Sequence, residues 1–319
     1  MLALGAVGLP NCAGKQSWLD SAGEGAEAVS TLFWIVVPAA ALIWTVVVGL
    51  ALYAGALRPG THSKRRASQM IIWGGIVAPT LTIFVLMVSS LVLLREMTAG
   101  SPDLTMHARG EQWWWRISHE GPDGEPVPTP NELRLPSGRK AEIVLTAERV
   151  IHSFWAPSLG GKMDMIPGRV NRMTLTPTEP GIYRGQCAEF CGEAHAQMAF
   201  PVIVMEPDAF QTWLAAQARP ALAPQSDAAR RGASLFLSNG CGACHAIRGT
   251  EAAGAVGPDL THVGSRLSIG AGTLPATAEA MAEWIAAPQH VKPGVRMPAF
   301  DVLGDEAIGL IAAYLSELQ

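Results

Sequence analysis

Two long runs of apolar residues dominate the first third of the chain. Residues 32–57 and 70–94 contain no charged side chain. Each run exceeds the roughly 20 apolar residues that cross the hydrocarbon core of a bilayer. Buried helices of soluble proteins rarely stay uncharged over such a length. The pattern therefore predicts a pair of transmembrane helices within residues 30–96, preceded by an N-terminal segment of residues 1–29.

The connection between the two runs carries only positive charges, at Arg58, Lys64, Arg65 and Arg66. The positive-inside rule places such a loop in the cytoplasm, so both termini are expected on the periplasmic side of a bacterial inner membrane. From residue 101 onward the chain has 17 basic and 23 acidic side chains, a net charge of −6. This charge argues against nucleic acid as a partner and favours a basic protein steered by long-range attraction.

Near the start of the chain, Cys12 follows Leu9 in a pattern that faintly resembles a bacterial lipoprotein cleavage site. The preceding Asn11 departs from the small residue usual there. Lipidation of Cys12 and a wrongly assigned start both remain open at this point.

The pattern after the second span changes to short alternating segments separated by turns. "NELRLPSGRKAEIVLTAE" alternates around a Pro-Ser-Gly turn, "GRVNRMTLTPTEPGIYRGQC" alternates around a Pro-Gly turn, and "MAFPVIVMEP" follows. Regular short strands with such turns are typical of a β-sandwich or barrel. We expect an antiparallel domain of this class over residues 97–214.

An Ala- and Pro-rich stretch, residues 215–226, is expected to be a semi-rigid linker. After it the period becomes helical. Helices are predicted from Asp227 to Ser238, from a cap at Thr277 up to a stop at Pro288, and from Asp305 to Leu318. Residues 227–319 should thus form an all-α domain, which is small enough that a covalently held cofactor would supply much of its core.

The helical domain contains "CGACH", which places Cys241, Cys244 and His245 in the C-x-x-C-H pattern of haem attachment. Two thiols on one turn can add to the haem vinyl groups, and the imidazole can then reach the iron. "GVRMPAF" offers Met297 as the sixth ligand, and His/Met ligation is found in high-potential cytochromes. A redox dithiol or half of a zinc site is the alternative interpretation.

The whole helical domain resembles the class I cytochrome c family. The similar segments are "GCGACHAIRGT", "GPDLTHVGSR", "WIAAPQHVKPGVRMPAF" and "IAAYLSEL". The resemblance implies that the last helix, which carries Tyr314, packs across the first one near Phe236.

A second cluster of metal-binding residue types lies in "GQCAEFCGEAHAQMAF", which contains Cys187, Cys191, His195 and Met198. A structural zinc site would use four thiolate or imidazole ligands, whereas a thioether beside them favours copper. "RVIHSFWAPSLGG" supplies a further imidazole, His152. Two Cys, two His and one Met are too many for a single blue-copper ion, so two coppers with bridging thiolates use the whole set. A disulfide between the two cysteines is the alternative.

The segments "VIHSFWAPSLGGKMDMIPGRVN" and "YRGQCAEFCGEAHAQMAF" resemble subunit II of the haem–copper cytochrome c oxidases. The resemblance implies a cupredoxin sandwich with a dinuclear CuA centre. It also implies the ligand roles: Cys187 and Cys191 bridge the coppers, His152 and His195 bind one copper each, Met198 is a weak ligand, and Glu189 binds through its backbone carbonyl. The Glu189 side chain is further expected to reach a magnesium ion at the junction with subunit I.

Two spans, a cupredoxin domain and a C-terminal cytochrome c domain together resemble the caa-type oxidases. The implied protein is a multi-domain membrane protein with a transmembrane hairpin, an all-β cupredoxin sandwich and an all-α cytochrome c domain. It would pass electrons from cytochrome c or another soluble donor through covalent haem c to CuA and on to haem a of subunit I. Oxygen reduction to water and proton translocation would occur in the complex with subunits I and III. A stand-alone membrane-anchored electron carrier, the CuA subunit of a nitric oxide reductase and a copper-delivery protein are the alternatives.

Two further residues match positions of the oxidase family. Trp113, in "EQWWWRISH", matches the residue that carries electrons from cytochrome c towards CuA, although core packing or a membrane-interface belt explains the three tryptophans equally well. Asp164 matches an acid of the docking face for cytochrome c, and its alternative is a solvated loop acid. No Asp or Glu lies between Glu27 and Glu96. Because many aa-type members have a Glu in the second span, proton uptake is expected to use another group or subunit I.

Overall fold

The computed structural model describes residues 13–57, 60 and 63–319. Cys12 and Arg58, which entered the predictions on lipidation and on the basic loop, lie outside the described residues. The chain divides into two compact units. One comprises the described part of Met1–Ala26 together with Ser101–Gln319, and the other is Glu27–Gly100.

Two long apolar helical segments account for the predicted spans. The first, Glu24–Leu57, and the second, Lys64–Met97, each contain 34 residues, with mean hydropathies of 2.5 and 2.4. Their most apolar stretches are not buried anywhere in the structure. Length and composition therefore suit a membrane crossing. In detail, the first consists of α1 (Glu24–Leu52) and a π-helical stretch (Tyr53–Leu57). The second consists of α2 (Lys64–Met70), a π-helical stretch (Ile71–Val77) and all but the last residue of α3 (Ala78–Thr98).

Both helical segments begin earlier than the hydrophobic pattern indicated. Lys64, Arg65 and Arg66 were expected in a loop but form the first turn of α2. The reason is a cap that hydropathy does not detect, because the Ser63 hydroxyl accepts a hydrogen bond from the Arg66 N–H at 3.3 Å. Likewise α1 begins at Glu24, whose N–H donates to the carbonyl of Thr176 at 3.0 Å.

Residues 104–205 form two five-stranded sheets. The first contains β1 (Leu104–Glu111), β2 (Trp114–Glu120), β3 (Pro126–Pro128), β5 (Ala141–Ala147) and β8 (Asn171–Leu175), in the order β3-β2-β1-β5-β8. The second contains β4 (Leu133–Pro136), β6 (His152–Trp155), β7 (Met163–Met165), β9 (Gly181–Cys187) and β10 (Ala199–Met205), in the order β4-β10-β9-β6-β7. Trp115 is fully buried in the core, with its ring centroid 5.6 Å from that of Phe154 and 5.0 Å from that of Phe200. The fold is the predicted cupredoxin-type β-sandwich.

The strand pairing is mixed, and the prediction of an antiparallel domain is wrong in this respect. β1 runs parallel to β5, and β4 runs parallel to β10. The Pro-Ser-Gly turn does not close a hairpin, because β4 and β5 belong to different sheets, and the Pro-Gly turn likewise connects β8 to β9 across the sandwich. Alternation along a strand determines which face is buried but does not identify the partner strand.

A helix that the sequence analysis did not anticipate, α4 (Pro207–Gln217), follows the last strand. It extends three residues into the stretch that was predicted to be a linker from residue 215. Its first helical residue is Pro207, and it buries Phe210 and Leu214, which lie one turn apart on the same face. The ring of Trp213 packs at 5.2 Å from that of His119, which ties the helix to the sandwich.

The C-terminal region is helical, as predicted. It contains α5 (Asp227–Ser238), α6 (Ala278–Ala286), α7 (Pro288–Val291) and α8 (Gly304–Glu317), with a short pair of strands, β11 (Ser268–Ile269) and β12 (Leu274–Pro275). Thr277 caps α6, with its hydroxyl accepting from the Ala280 N–H at 3.2 Å. Pro288 follows the end of α6 but also begins α7, which the sequence analysis did not predict. The rings of Phe236 and Tyr314 pack edge to face at 6.0 Å where α5 and α8 cross.

Candidate metal centres

The predicted copper ligands come from two neighbouring strands and the loop that follows one of them. His152 begins β6 and Cys187 ends β9, and the register pairs Phe154 with Cys187. Cys191, His195 and Met198 lie in the loop between β9 and β10. Sheet pairing and one loop therefore bring together side chains that are up to 46 positions apart in the chain.

The five side chains form one compact group of sulfur and nitrogen atoms. The Sγ atoms of Cys187 and Cys191 are 3.8 Å apart. The Nδ1 atom of His152 lies 3.7 Å from Cys187 Sγ, and the Nδ1 atom of His195 lies 3.5 Å from Cys191 Sγ. Met198 Sδ is 3.8 Å from Cys191 Sγ. Each imidazole thus directs the same ring nitrogen towards a different thiol.

This group fits copper better than the alternatives. A sulfur separation of 3.8 Å is far longer than a disulfide bond, and both cysteines are free thiols. The thioether of Met198, 1% exposed, belongs to the set, and a thioether beside thiolate and imidazole is a soft donor combination that suits copper. Hydrogen bonding from Cys191 and from His152 lowers the pKa of Cys187, which favours a thiolate at that position.

Glu189 and Asp164 occupy different environments. The backbone carbonyl of Glu189 lies 3.2 Å from Cys187 Sγ, while its side chain is exposed. The carboxylate of Asp164 accepts from the Ser153 hydroxyl at 2.8 Å and pairs with Lys162 at 3.1 Å. These partners lower the pKa of Asp164 and keep it charged. The Glu189 backbone carbonyl therefore lies beside the thiol group, whereas its side chain points to solvent.

The candidate haem-attachment residues line one cavity of about 260 Å³, whose wall comes from the helical domain and from a few cupredoxin residues such as Trp113. Cys241, Cys244, His245 and Met297 contribute to its wall, together with apolar side chains such as Ile285. Both cysteines are free thiols. An apolar cavity with two thiols, an imidazole and a thioether around it fits a covalently attached haem.

The His245 imidazole is oriented for ligation through Nε2. Its Nδ1 lies 2.8 Å from the carbonyl oxygen of Pro258, which can only accept a hydrogen bond, so Nδ1 carries the proton. The other nitrogen is then left with its lone pair free. Gly257 permits this position, because a Cβ there would lie 2.5 Å from the imidazole ring. Burial lowers the pKa of His245, which favours the neutral, ligating form.

Trp113 lies where the two centres approach each other. Its indole lines the cavity that contains Cys241 and His245. The same indole donates a hydrogen bond from Nε1 to the carbonyl oxygen of Cys191 at 3.0 Å. Gln112 donates to this oxygen as well, at 3.1 Å. No sequence motif indicated Gln112, and only this tertiary contact shows that its side chain bonds to the backbone of Cys191.

The fold and the two donor groups define a class of protein: a two-centre electron-transfer protein with a copper-type cupredoxin domain and a c-type cytochrome domain. Comparisons with known proteins identify the family. Residues 122–206 match the family described as cytochrome c oxidase subunit II, periplasmic domain, and residues 229–319 match the family described as cytochrome c.

The chain is similar to the following individual proteins. The chain is 37% identical over 220 residues to cytochrome c oxidase subunit 2 of Alkalihalophilus pseudofirmus, covering 69% of this chain and 63% of that one. It is 30% identical over 263 residues to cytochrome c oxidase subunit 2 of Bacillus subtilis, covering 76% of this chain and 73% of that one. Among solved structures, the periplasmic domain of subunit II of the Bradyrhizobium japonicum cytochrome oxidase is 31% identical, with a TM-score of 0.35, and the match covers 37% of this chain and 95% of that one.

The chain belongs to the cytochrome c oxidase subunit II family and carries a C-terminal cytochrome c domain. It spans 63% of the length of the Alkalihalophilus relative. The two matched families imply copper and haem c as its cofactors. Together with the two long apolar helices, the family indicates a membrane-anchored protein.

Proposed function

We propose that this chain is the electron-relay subunit of a terminal cytochrome c oxidase. Its cytochrome domain receives electrons from a soluble donor, its cupredoxin domain accepts them, and a catalytic subunit I then uses them to reduce oxygen. Copper and haem, when bound, each supply one-electron redox chemistry at these positions. Subunit III and the membrane lipid complete the proposed surroundings, with both soluble domains on the periplasmic side.

The observation that carries the proposal is the position of Trp113. One side chain forms part of the wall of the haem cavity and is hydrogen-bonded to the backbone of Cys191. The two donor groups are therefore joined through one indole and one hydrogen bond. An electron carrier with two independent centres would not require this arrangement.

The ligand assignments follow from the geometry of each donor group. Cys187 and Cys191 are proposed to bridge two coppers, because each has its own imidazole within 4 Å, from His152 and His195 respectively. Met198 and the Glu189 carbonyl are proposed as the remaining weak ligands. In the cytochrome domain, His245 and Met297 are proposed to bind the haem iron, with Cys241 and Cys244 holding the macrocycle.

The surface near the copper group is proposed to face subunit I. Phe190 is 76% exposed and lies beside the exposed carboxylate of Glu189. A large apolar side chain next to a free carboxylate suits a protein interface that also holds a magnesium ion. Asp164 is proposed to belong to a face of the cupredoxin domain on which a cytochrome c docks, in competition with its pairing to Lys162.

Purification of the complex through a tag on this chain tests the proposed function. We expect a co-purifying subunit with many spans, visible bands of haem c and haem a, a near-infrared copper band, and oxygen-dependent oxidation of reduced cytochrome c. Isolation of a single stable polypeptide without oxygen consumption would refute the proposal. Consumption of nitric oxide instead of oxygen would assign the chain to a reductase of that gas.

Substitution of Trp113 tests the connection between the domains. W113F keeps an aromatic ring but removes the N–H that binds the Cys191 carbonyl, so internal electron transfer from haem to copper should slow by about tenfold, within the range seen when residues supporting a metal site are changed. W155F is the matched control, because the indole of Trp155 also donates to a backbone carbonyl, that of Gly160 at 3.2 Å, but does not line the cavity. Equal rates in the two variants would contradict a role for Trp113.

A further inference from the structure

A buried lysine lies at the contact between the cupredoxin and cytochrome domains. Lys292 follows α7 and is only 1% exposed. Its ammonium donates to three carbonyl oxygens: that of Trp113 at 2.7 Å, that of Gln197 at 2.9 Å and that of Gly270 at 2.9 Å. Trp113 and Gln197 belong to the cupredoxin domain, whereas Gly270 belongs to the cytochrome domain.

The three carbonyls satisfy the ammonium completely. A lysine ammonium has three N–H donors and no acceptor, and a buried charge is tolerated only when its donors are paired. Burial lowers the pKa of Lys292 to about 7. Three acceptors around one nitrogen favour the protonated form, since a neutral amine has only two N–H groups to donate. The Lys292 ammonium is therefore held by acceptors from three separate segments of the chain.

Other contacts between the domains surround Lys292. The Gln197 side-chain amide donates to the carbonyl of Val291 at 3.0 Å. The Ala199 N–H donates to the carbonyl of Ala271 at 3.2 Å, and the Leu267 N–H donates to the carboxylate of Glu132 at 3.1 Å. These bonds run in both directions across the contact, so the two domains have one defined docked arrangement.

Close packing accompanies these bonds. A Cβ at Gly294, two residues after Lys292, would lie 2.7 Å from the ring of Trp113. Gly294 has a φ of +81°, which also favours glycine. The turn after α7 therefore packs directly against the indole of Trp113.

We propose that Lys292 is a positioning residue that fixes the cytochrome domain on the cupredoxin domain at Trp113. It contacts the wall of the haem cavity and, through Gln197, the copper loop between His195 and Met198. Electron transfer between the domains then starts from a docked state and does not wait for the domains to meet. This inference rests on the proposed relay function for its purpose, but the docking itself can be tested without any redox reaction.

Hydrogen exchange on the full chain in its complex measures the docking directly. K292M keeps the length of the side chain and removes its charge and donors, which leaves three carbonyls unpaired. We expect the Ala199 and Leu267 amides, which bond across the contact, to lose protection. The Met281 amide, which bonds to Thr277 inside the cytochrome domain at 2.9 Å, should keep its protection. K162M, at an exposed lysine, is the matched control and should leave all three amides unchanged.

Internal electron transfer provides the second measurement. In K292M, the rate from haem to copper should fall by about tenfold, the factor that corresponds to about 1.4 kcal/mol of lost docking free energy, and should become dependent on solvent viscosity. Reduction of copper by a small-molecule reductant should proceed at the wild-type rate. Retained protection of Ala199 and Leu267 together with a wild-type internal rate would overturn the proposal.

A second variant keeps the test decisive if K292M does not assemble with both cofactors. Q197A removes the amide that bonds to Val291 at the same contact and leaves Lys292 in place, so a smaller loss of protection at Ala199 and Leu267 is expected. Wild-type protection in Q197A would then count against the proposed docking. If the variants lose protection at these amides but the wild-type complex consumes no oxygen, the docking is supported and the oxidase function is refuted.

Discussion

Substitution of Gly110 by alanine should disturb the candidate copper group without replacing any of its proposed ligands. Gly110 lies in β1, opposite Trp115 of β2 and Ala147 of β5. A Cβ built at Gly110 would lie 2.7 Å from the Cγ and Cδ2 atoms of His152 and 3.0 Å from its Cβ. Ordinary contacts of a Cβ atom begin at 3.4 Å, so the imidazole would have to move by about 0.7 Å.

The imidazole of His152 has little freedom to make that movement. It is fully buried, and the ring of Trp115 lies 6.3 Å away, centroid to centroid. A shift of about 0.7 Å is several times the tolerance of about 0.2 Å on metal–ligand distances. Overpacking of a core typically costs about 1–3 kcal/mol. We therefore expect G110A to destabilise the cupredoxin domain by about 2 kcal/mol and to weaken copper binding.

The control is the same substitution at Gly161 of the same domain. A Cβ added at Gly161 would have no atom within 4 Å, and the φ of this residue is not in the left-handed region, so G161A should be neutral or stabilise by about 0.4–1 kcal/mol through the unfolded state. Copper titration followed by visible and near-infrared absorbance, and denaturant unfolding followed by tryptophan fluorescence, measure the two effects. The reasoning would be refuted if G110A bound copper as tightly as the wild type and had the same unfolding free energy as G161A.

Three further substitutions test other parts of the structure. A Cβ at Gly232 would lie 2.0 Å from the carbonyl oxygen of Leu310, so G232A should destabilise the cytochrome domain by about 2 kcal/mol or more. The control G309A, in open space on α8, should be neutral or stabilise by up to about 1 kcal/mol. Urea unfolding followed at the haem Soret band distinguishes the two variants. Burial lowers the pKa of His119 to about 4 from 6.5, so between these values only the unfolded state binds the proton, and stability should fall by about 3 kcal/mol as the pH falls through this window. H119Q should lack that part of the pH dependence, and equal slopes would contradict it. M198L should retain the near-infrared copper band with a shifted potential, and loss of the band would exclude a weak-ligand role.

The candidate metal donors could be proposed from the sequence because most of them lie close together in the chain. Cys187, Cys191, His195 and Met198 fall within twelve consecutive residues, and "CGACH" holds its three groups on one turn. His152 is further away in the chain, and only the pairing of β6 with β9 shows how it reaches the other donors. The cap at Thr277 was a similarly local signal, and its hydroxyl accepts the hydrogen bond from Ala280, three positions later. Ser226 caps α5 in the same way, accepting from Ala229 at 3.0 Å, although it was not predicted to do so.

The pairing of the strands was not predictable for a physical reason. The parallel alignment of β1 with β5 depends on hydrogen bonds between backbone groups that every residue has. Side-chain alternation tells which face is buried, and both a parallel and an antiparallel neighbour satisfy it. The extra helix α4 was also hidden, because its buried face consists of little more than Phe210 and Leu214.

The contact between the two domains could not be predicted from the sequence either. Lys292 binds three backbone carbonyls, and a carbonyl acceptor leaves no mark on the residue type that supplies it. In the sequence Lys292 therefore looks like any surface lysine. Only the fold shows that it donates to the carbonyl of Trp113, which lies 179 positions earlier in the chain. Gly294 is a local signal at this contact, because its positive φ and its closeness to the indole both disfavour a side chain. Candidate ligands can thus be proposed from motifs, whereas groups that bond one domain to the other, such as Lys292, are found only from tertiary contacts.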